Sequence, residues 1–320
     1  MRLIIFLLTL APTFGFAQAL SMAQTDSLIA GIKATVNENY VLTTNAKLVG
    51  ETLLASDYYG IETIDSLVNK LNADFYRIVN DKHLFIQYRP AVAENLANHK
   101  NIYKAQDKKE RREHFGFGKV QFYESNIGYF KLDYFADATH ARKYVLGYMH
   151  RLRKTTALII DLRDNLGGSG SMIELLAGIF LEENEPGILK INYHSGKVMT
   201  MKGAPVKASK KYVPQSVYLL TSDHTFSAGE AFALIMKNRG RAILVGDTTA
   251  GAGNVAGPYA INNQFVLTVP VGVIVDPMTN LGWEHTGVVP NINVDPSEAL
   301  DAAIRNIARA RDRLNGTTQN

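Results

Sequence analysis

The sequence predicts an α/β protein in which a small helical bundle precedes a core built on a largely parallel sheet. Two features of the hydrophobic pattern indicate this fold. Before about residue 80, apolar residues recur at helical spacing, as in Leu28, Ile32 and Val36. From Gly118 onward, short β-rich segments alternate with helical stretches of about 10–15 residues, which is typical of strand–helix–strand crossover units.

The composition is that of a globular protein and excludes several classes of function. The 320 residues are 46% hydrophobic and 20% charged, which argues against disorder. The net charge of +4 is mild, and no basic stripe interleaved with aromatic residues supports a nucleic-acid partner. The absence of cysteine excludes disulfides, thiolate zinc sites and a cysteine nucleophile. No HExxH-type spacing indicates a metal, so we expect no cofactor.

The first 17 residues have the pattern of a signal peptide. Arg2 precedes an apolar run over Leu3–Leu10, and Gly15 and Ala17 are placed as a cleavage site requires. We therefore expect export to the periplasm or the extracellular space. Beyond this segment no apolar run approaches the roughly 18 residues needed to cross a bilayer, so we expect no stable membrane insertion after cleavage.

Residues 18–92 are predicted to form the N-terminal helical domain, and residues 93–117 a solvated linker because their charges are of mixed sign. Four-residue spacing of apolar side chains predicts the helices, and a short run of β-forming residues predicts a strand after them. The expected elements are helices near 25–40, 46–55 and 67–79 and a strand over 84–88.

Residues 118–320 are predicted to form the α/β core. The segment Thr156–Leu162 is uniformly apolar, which is typical of a strand buried on both faces of a parallel sheet. The other expected elements are strands at 127–132, 217–221, 241–246, 264–269 and 272–275 and helices at 141–152, 173–180, 227–238 and 299–314.

Two turns follow buried strands of this core and are candidates for chemistry. Gly167 and Gly168 let backbone amides approach a ligand closely because glycine has no Cβ. Ser227 lies where a strand meets a helix, and the first-turn amides of that helix would suit an oxyanion. An ordinary helix N-cap is the alternative for Ser227, and Glu230 is expected only to complement the helix dipole. Nucleotide binding has little support, because the glycine turn lacks the lysine of a phosphate-binding loop.

An activated serine needs a base, and the residues alone leave its identity open. His83 follows a predicted helix in a polar turn, although a surface or capping role is the common one for such a histidine. His224 lies three residues before Ser227, and His285 follows Glu284. Proximity in sequence is a poor guide, because the fold brings the members of a triad together.

Four segments in the same order resemble a known family. Residues 157–168 (ALIIDLRDNLGG) resemble the strand and turn of the tail-specific, C-terminal-processing serine peptidases, and residues 225–230 (TFSAGE) with 240–249 (GRAILVGDTT) resemble their nucleophile segment. Residues 80–83 (NDKH) and 283–292 (WEHTGVVPNI) are similar to segments of the tricorn-core and interphotoreceptor retinoid-binding-protein-like branch.

This resemblance implies a ClpP/crotonase-like core and a catalytic triad. It implies Ser227 as the nucleophile, His83 as its base and Glu284 as the residue that orients the base. The processing peptidases pair their serine with a lysine, and this chain has Ala252 at the matching position, which removes that dyad.

The resemblance also implies an oxyanion hole formed by the amide of Ala228 and one amide from Gly167 or Gly168. The segment between His83 and Lys119 is too short for the PDZ module that many processing peptidases carry.

The implied function is that of an exported serine peptidase that cleaves unfolded or short peptides by acyl transfer. Two alternatives use the same fold. One is a non-catalytic module that binds a hydrophobic ligand such as a retinoid or lipid, and the other is an esterase with the same site. The physiological substrate, the cleavage preference and the oligomeric state are left open.

Overall fold

The structure is a computed structural model that describes residues 19–98, 104–182, 187–208, 211–212 and 215–317. The predicted signal peptide, residues 1–17, lies outside this part of the chain. Across the described ranges, no helix combines the length and the apolar character that a bilayer crossing requires.

The described residues form helices and strands in the order that the sequence predicts, with several additions. The helices are α1 (Met22–Asn39), α2 (Thr43–Thr52), α3 (Ile64–Val79), α4 (Pro90–Ala97), α5 (Lys104–Arg112), α6 (Ala138–Leu152), α7 (Gly170–Phe180), α8 (Ala228–Asn238) and α9 (Ala299–Thr317). The strands are β1 (Phe85–Tyr88), β2 (Gln121–Tyr123), β3 (Ile127–Lys131), β4 (Ala157–Asp161), β5 (Leu189–Tyr193), β6 (Val198–Met201), β7 (Ser216–Thr221), β8 (Ala242–Gly246), β9 (Asn254–Ile261), β10 (Phe265–Val275) and β11 (Ile292–Asn293).

Local signals define the helices of the N-terminal region. Ser21 and Gln24 form a capping box at the start of α1, and the Thr63 side chain caps α3. Helix α3 ends at Asn80, whose left-handed backbone (φ 50°) turns the chain toward β1. The apolar sides of α1, α2 and α3 meet in what we call the bundle core, which includes Leu28, Phe75 and, from β10, Leu267.

The larger sheet has six strands in the order β11-β8-β7-β4-β3-β2, all parallel except the β2–β3 pair. Every residue of β4 is buried, as its apolar run predicts. Helices α6, α7 and α8 cover one face in what we call the sheet–helix core, which includes Phe130, Leu176 and Phe232. Helix α9 covers the other face through residues such as Ala303 and Ile307.

A second, antiparallel sheet differs from the expectation. Strand β10 pairs with β9 from Phe265 to Val273 and also with β1 and β5, and β6 extends the sheet beyond β5. The strands expected at 264–269 and 272–275 are one strand with a register shift between Pro270 and Gly272. Strand β9 was not predicted, because glycine, alanine and proline in NVAGPYAI are poor strand formers and only the pairing with β10 makes this segment a strand.

The segment expected to be a linker, residues 93–117, contains the end of α4 and all of α5. Helix α5 has no apolar spacing that would predict it, because most of its residues are charged. Its Lys, Arg, Gln and Glu residues are nevertheless good helix formers. Gln106 donates a hydrogen bond to Glu110 one turn later, and Lys109 pairs with Glu113 in the same register. Phe115 and Phe117 then enter the sheet–helix core.

Candidate active site

The two turns that the sequence marks as candidates for chemistry lie side by side at the carboxyl ends of neighbouring parallel strands. Strands β4 and β7 are neighbours with parallel register, so the turns that follow them leave the same edge. The backbone N–H of Phe226 donates to the carbonyl of Asn165, which joins the turns directly. A Cβ on Gly167 would lie 2.9 Å from the Cβ of Ser227, so the glycine is needed for this approach.

Ser227 begins α8 in a strained backbone conformation, with φ 50° and ψ −110°. The strain is held by Glu230, whose fully buried carboxylate accepts the Ser227 amide at 2.8 Å. The same carboxylate accepts the amides of Gly251 and Ala252 and the hydroxyl of Thr249. Burial raises the pKa of Glu230, and these four donors oppose that shift. The sequence predicted only a helix-dipole role for Glu230.

The glycine turn presents amides beside Ser227. Asn165 is buried, and its Oδ1 accepts the Gly167 amide at 2.9 Å, so that amide already has an acceptor. Gly168 adopts φ 133° and packs against the backbone of Phe135. Within the described residues, the hydrogen bonds of this turn engage the Gly167 carbonyl and the Ser169 amide with Phe135 but do not include the Gly168 amide.

His83 contacts Ser227 although the two residues lie 144 positions apart in the chain. Strand β1 pairs with β10, and this pairing holds the turn before β1 against the core. The Nε2 atom of His83 lies 3.0 Å from Oγ of Ser227, and both side chains are buried. The imidazole ring also packs against the ring of Phe226, with 5.0 Å between the centroids.

Glu284 lies behind His83. One oxygen of its carboxyl group, a ring nitrogen of His83 and an oxygen of Asp81 all lie within 4.8 Å of one another. Glu284 Oε2 accepts the amide of Gly253. Two buried atoms, His83 Nδ1 and Glu284 Oε1, make no hydrogen bond within the described structure. The geometry therefore brings the three predicted triad residues together, with the His–Glu contact open in this state.

Burial determines the charge of this cluster. It lowers the pKa of His83 to about 4, although the nearby Asp81 carboxylate acts in the other direction. Burial, and after it the charge of Asp81, raises the pKa of Glu284 to about 8. Near neutral pH the cluster thus has a neutral imidazole, which is the form able to accept a proton from a serine hydroxyl.

The other candidate bases lie elsewhere. The side chain of His224 is exposed and sits 3.5 Å from Asp223, although it is close to Ser227 in sequence. His285 Nδ1 lies 3.7 Å from Glu284 Oε1 at a half-exposed position. Ala252 is buried, and its carbonyl accepts the indole N–H of Trp283 at 3.1 Å, so the position of the missing lysine is part of the packed core.

Asp81 is a site residue that was not predicted from the sequence. Its carboxylate is buried and accepts hydrogen bonds from Tyr40, His83 and Asn254. The available signal was the spacing of Asp81 and His83 in NDKH, since an aspartate accepts the amide two residues later in an Asx turn. Its contacts with Tyr40 and Asn254 leave no local trace in the sequence.

Asp81, His83 and Glu284 are also the residue types that ligate metals. Their ligand atoms are close enough for one ion. Both oxygens of Asp81, however, already accept hydrogen bonds, two at Oδ2 and one at Oδ1. Three of the roughly four acceptor positions of this carboxylate are thus occupied, which fits a hydrogen-bonded carboxylate better than a metal ligand.

Comparison with known proteins identifies relatives among processing peptidases. The chain is 29% identical over 174 residues to the chloroplastic carboxyl-terminal-processing peptidase 1 of Arabidopsis thaliana, a match that covers 54% of this chain and 34% of that protein. It is 27% identical over 177 residues to the carboxy-terminal processing protease CtpA of Bacillus subtilis strain 168, covering 54% and 36%. The aligned region spans about one third of the length of these curated relatives.

Solved structures share the fold. A lipoprotein from Streptococcus agalactiae matches with a TM-score of 0.61 at 17% identity, over 94% of this chain and 100% of that one. The photosystem II D1 C-terminal processing protease matches with a TM-score of 0.53 at 13% identity, over 85% and 93%. The predicted α/β fold with a helical N-terminal region is thereby confirmed.

Family profiles cover most of the described chain. The profile described as the N-terminal domain of Peptidase S41 in eukaryotic IRBP matches residues 19–116. The profile described as Peptidase family S41 matches residues 126–294, which is more than half of the chain and includes Ser227 and Glu284. The chain therefore belongs to peptidase family S41, as its motifs predict.

Proposed function

We propose that this chain is an exported serine peptidase that hydrolyses peptide bonds by acyl transfer, with Ser227 as nucleophile, His83 as general base and Glu284 as the residue that orients His83. The observation that carries the proposal is the 3.0 Å contact between Ser227 Oγ and His83 Nε2, made by residues 144 positions apart in the chain. Such a contact between a strained serine and a buried imidazole is what nucleophilic activation requires.

The chemistry follows from the geometry. Nε2 of His83 takes the proton of Ser227 as Oγ attacks the scissile carbonyl, and it later returns a proton to the leaving amine. In its ionised form Glu284 would stabilise the imidazolium that forms, once its carboxylate contacts Nδ1. We assign the oxyanion hole to the amides of Ala228 and Gly168, because the amide of Gly167 already donates to Asn165. Water then hydrolyses the acyl-enzyme.

The same observations favour a hydrolase over a hydrophobic-ligand carrier. A carrier needs neither a serine in a strained backbone conformation nor a histidine against its hydroxyl. The family supports peptide or unfolded protein as substrate, while an esterase would use the same groups. No role for nucleic acid is proposed. Export rests on the signal-peptide pattern of residues 1–17 and is tested by sequencing the N-terminus of protein recovered outside the cytoplasm.

The decisive experiment compares wild type with Ser227→Ala. We expect an unstructured peptide to be cleaved by wild type and its turnover to fall by at least about 10³-fold in Ser227→Ala with the fold intact by circular dichroism. A fluorophosphonate should label wild type but not the variant. Equal cleavage by both proteins would refute the nucleophile assignment. Absence of labelling in wild type would favour the carrier, and turnover of esters without peptides would favour the esterase.

A further inference from the structure

The carboxylate of Asp81 joins three separate parts of the chain immediately behind the proposed base. Tyr40 follows α1 and donates its hydroxyl to Oδ2 at 2.7 Å, and Asn254 at the start of β9 donates its side-chain amide to the same oxygen at 2.9 Å. The backbone N–H of His83 donates to Oδ1 at 2.8 Å. All four residues are buried.

This network holds the backbone of His83 rather than its ring. An aspartate that accepts the amide two residues later closes an Asx turn, which restricts the chain between them. Tyr40 strengthens the turn from the helical region, since burial raises its pKa and keeps the hydroxyl protonated as a donor. Asn254 strengthens it from the antiparallel sheet.

The ring of His83 depends on that support. Its Nδ1 has no hydrogen bond within the described residues, so Glu284 does not fix the ring in this state. Among the described residues, the ring contacts Ser227 through Nε2 and Phe226 through its face. The approach of Nε2 to Ser227 is therefore determined largely by where the backbone of His83 is held.

We propose that Asp81, Tyr40 and Asn254 form a positioning network for His83, through which the helical region controls the reactivity of Ser227. These three residues act on the backbone of His83 and not on the reacting atoms, so each is a positioning residue. The inference rests on the proposed function, because it assumes that His83 acts as the base for Ser227.

The first test is a pair of tyrosine variants. Tyr40→Phe removes the hydroxyl that supports Asp81, and we expect kcat to fall about 3- to 10-fold with KM unchanged, because small misplacements of a catalytic group lower the rate of the chemical step. Tyr58→Phe is the matched control. Tyr58 is buried in the same bundle core and donates to Asp74 at 2.8 Å, but it makes no contact with the site. Its kcat should equal that of wild type.

Asp81→Asn should have a larger effect. The amide offers only one acceptor oxygen where three donors converge, so one donor must face another. We expect kcat to fall about 10- to 100-fold, again with little change in KM.

A second measurement separates positioning from a general structural role. The rate of Ser227 labelling by a fluorophosphonate is measured for Tyr40→Phe in the wild-type and His83→Ala backgrounds. If Tyr40 acts through His83, the variant slows labelling only where His83 is present. Equal slowing in both backgrounds, or an unchanged kcat in Tyr40→Phe and Asp81→Asn, would overturn the inference. Cleavage by Ser227→Ala would instead overturn the proposed function itself.

Discussion

At the scale of single residues, the site is built from carboxylates with different environments. Glu230 accepts four hydrogen bonds and holds the backbone around Ser227. Asp81 accepts three and holds the turn of His83. Glu284 Oε2 accepts the Gly253 amide, whereas Oε1 has no hydrogen bond among the described residues and lies 3.7 Å from Nδ1 of His285. With its raised pKa, Glu284 must therefore lose its proton before it can stabilise an imidazolium at His83.

The protonation of Glu284 should be visible in the pH dependence of stability. Its pKa is about 8 in the folded protein against an ordinary 4.5, so the folded state retains a proton that the unfolded state has lost between these pH values. The stability that this proton provides is present below about pH 4.5 and is lost as the pH rises through about 8. The shift of His83, from 6.5 to about 4, affects stability only below about pH 6.5.

The test compares wild type with Glu284→Gln in urea unfolding from pH 6.5 to 8. We expect the free energy of unfolding of wild type to fall by about 1–2 kcal/mol relative to the variant over this range. Glu298→Gln, at an exposed position, is the control and should follow wild type. Parallel curves for wild type and Glu284→Gln would show that Glu284 is already ionised at neutral pH.

At the scale of secondary-structure elements, the site depends on two turns that leave neighbouring parallel strands. The turn after β4 brings Gly167 against the start of α8 and Gly168 against the backbone of Phe135, and the turn after β7 places Ser227 beside Gly167. Both turns contain residues with a positive φ, which is a costly conformation for residues with a side chain. We therefore expect these turns to tolerate few substitutions.

Alanine substitutions at two glycines distinguish the conformational requirement of the turn from ordinary helix propensity. A Cβ on Gly168 would lie 2.3 Å from the carbonyl oxygen of Phe135, and its φ of 133° also disfavours alanine. Gly168→Ala should therefore destabilise the protein by at least about 1–3 kcal/mol and lower peptide turnover. Gly147 is exposed in α6, and a Cβ there would have no neighbouring atom within 4 Å. Gly147→Ala should therefore stabilise the protein by about 1 kcal/mol with turnover unchanged.

Thermal unfolding and peptide turnover of the two glycine variants provide the readouts. If Gly168→Ala retained wild-type turnover, the packing of Gly168 against Phe135 would not matter for activity. A loss of stability in Gly147→Ala would contradict the account of α6 as a simple exposed helix.

At the scale of the whole molecule, the helical region and the α/β core share the antiparallel sheet. Strand β1 comes from the N-terminal side and pairs with β10, and Leu267 of β10 lies in the bundle core. The opposite end of β10 contributes Ile274 to the sheet–helix core. One strand thus carries side chains into both hydrophobic cores, so we expect the two cores to unfold together.

Trp283, the chain's single tryptophan, reports on this coupling because it lies in the sheet–helix core. Leu267→Ala removes a fully buried side chain from the bundle core and should cost about 2–5 kcal/mol. We expect the Trp283 fluorescence and far-ultraviolet circular dichroism transitions to shift together in urea. Leu54→Ala, at an exposed position, should leave both in place. An unmoved Trp283 transition in Leu267→Ala would mean that the two cores unfold independently.

Much of the fold was predictable because its signals are local. The uniform apolar run of β4, the four-residue spacing in α3 and the glycine turn at Gly167 each report on a few consecutive residues. The family motifs likewise predicted Ser227, His83 and Glu284 as site residues. Helix α4 and strands β2, β5, β6 and β11 were not predicted. Strand β9 and helix α5 were also missed, since the first exists through its pairing with β10 and the second through charged residues that no apolar spacing reveals.

The sequence by itself determined the central parallel strands, the helices that follow them and the glycine turn, and which residue types could do chemistry. The residues alone did not distinguish His83 from His224, and the family motifs predicted His83. Only the tertiary structure shows the 3.0 Å contact of His83 with Ser227 and the hydrogen bonds that Tyr40 and Asn254 donate to Asp81. The physical reason is the range of the interactions. Backbone preferences act over a few residues, whereas contacts between residues more than a hundred positions apart depend on how sheets and helices pack.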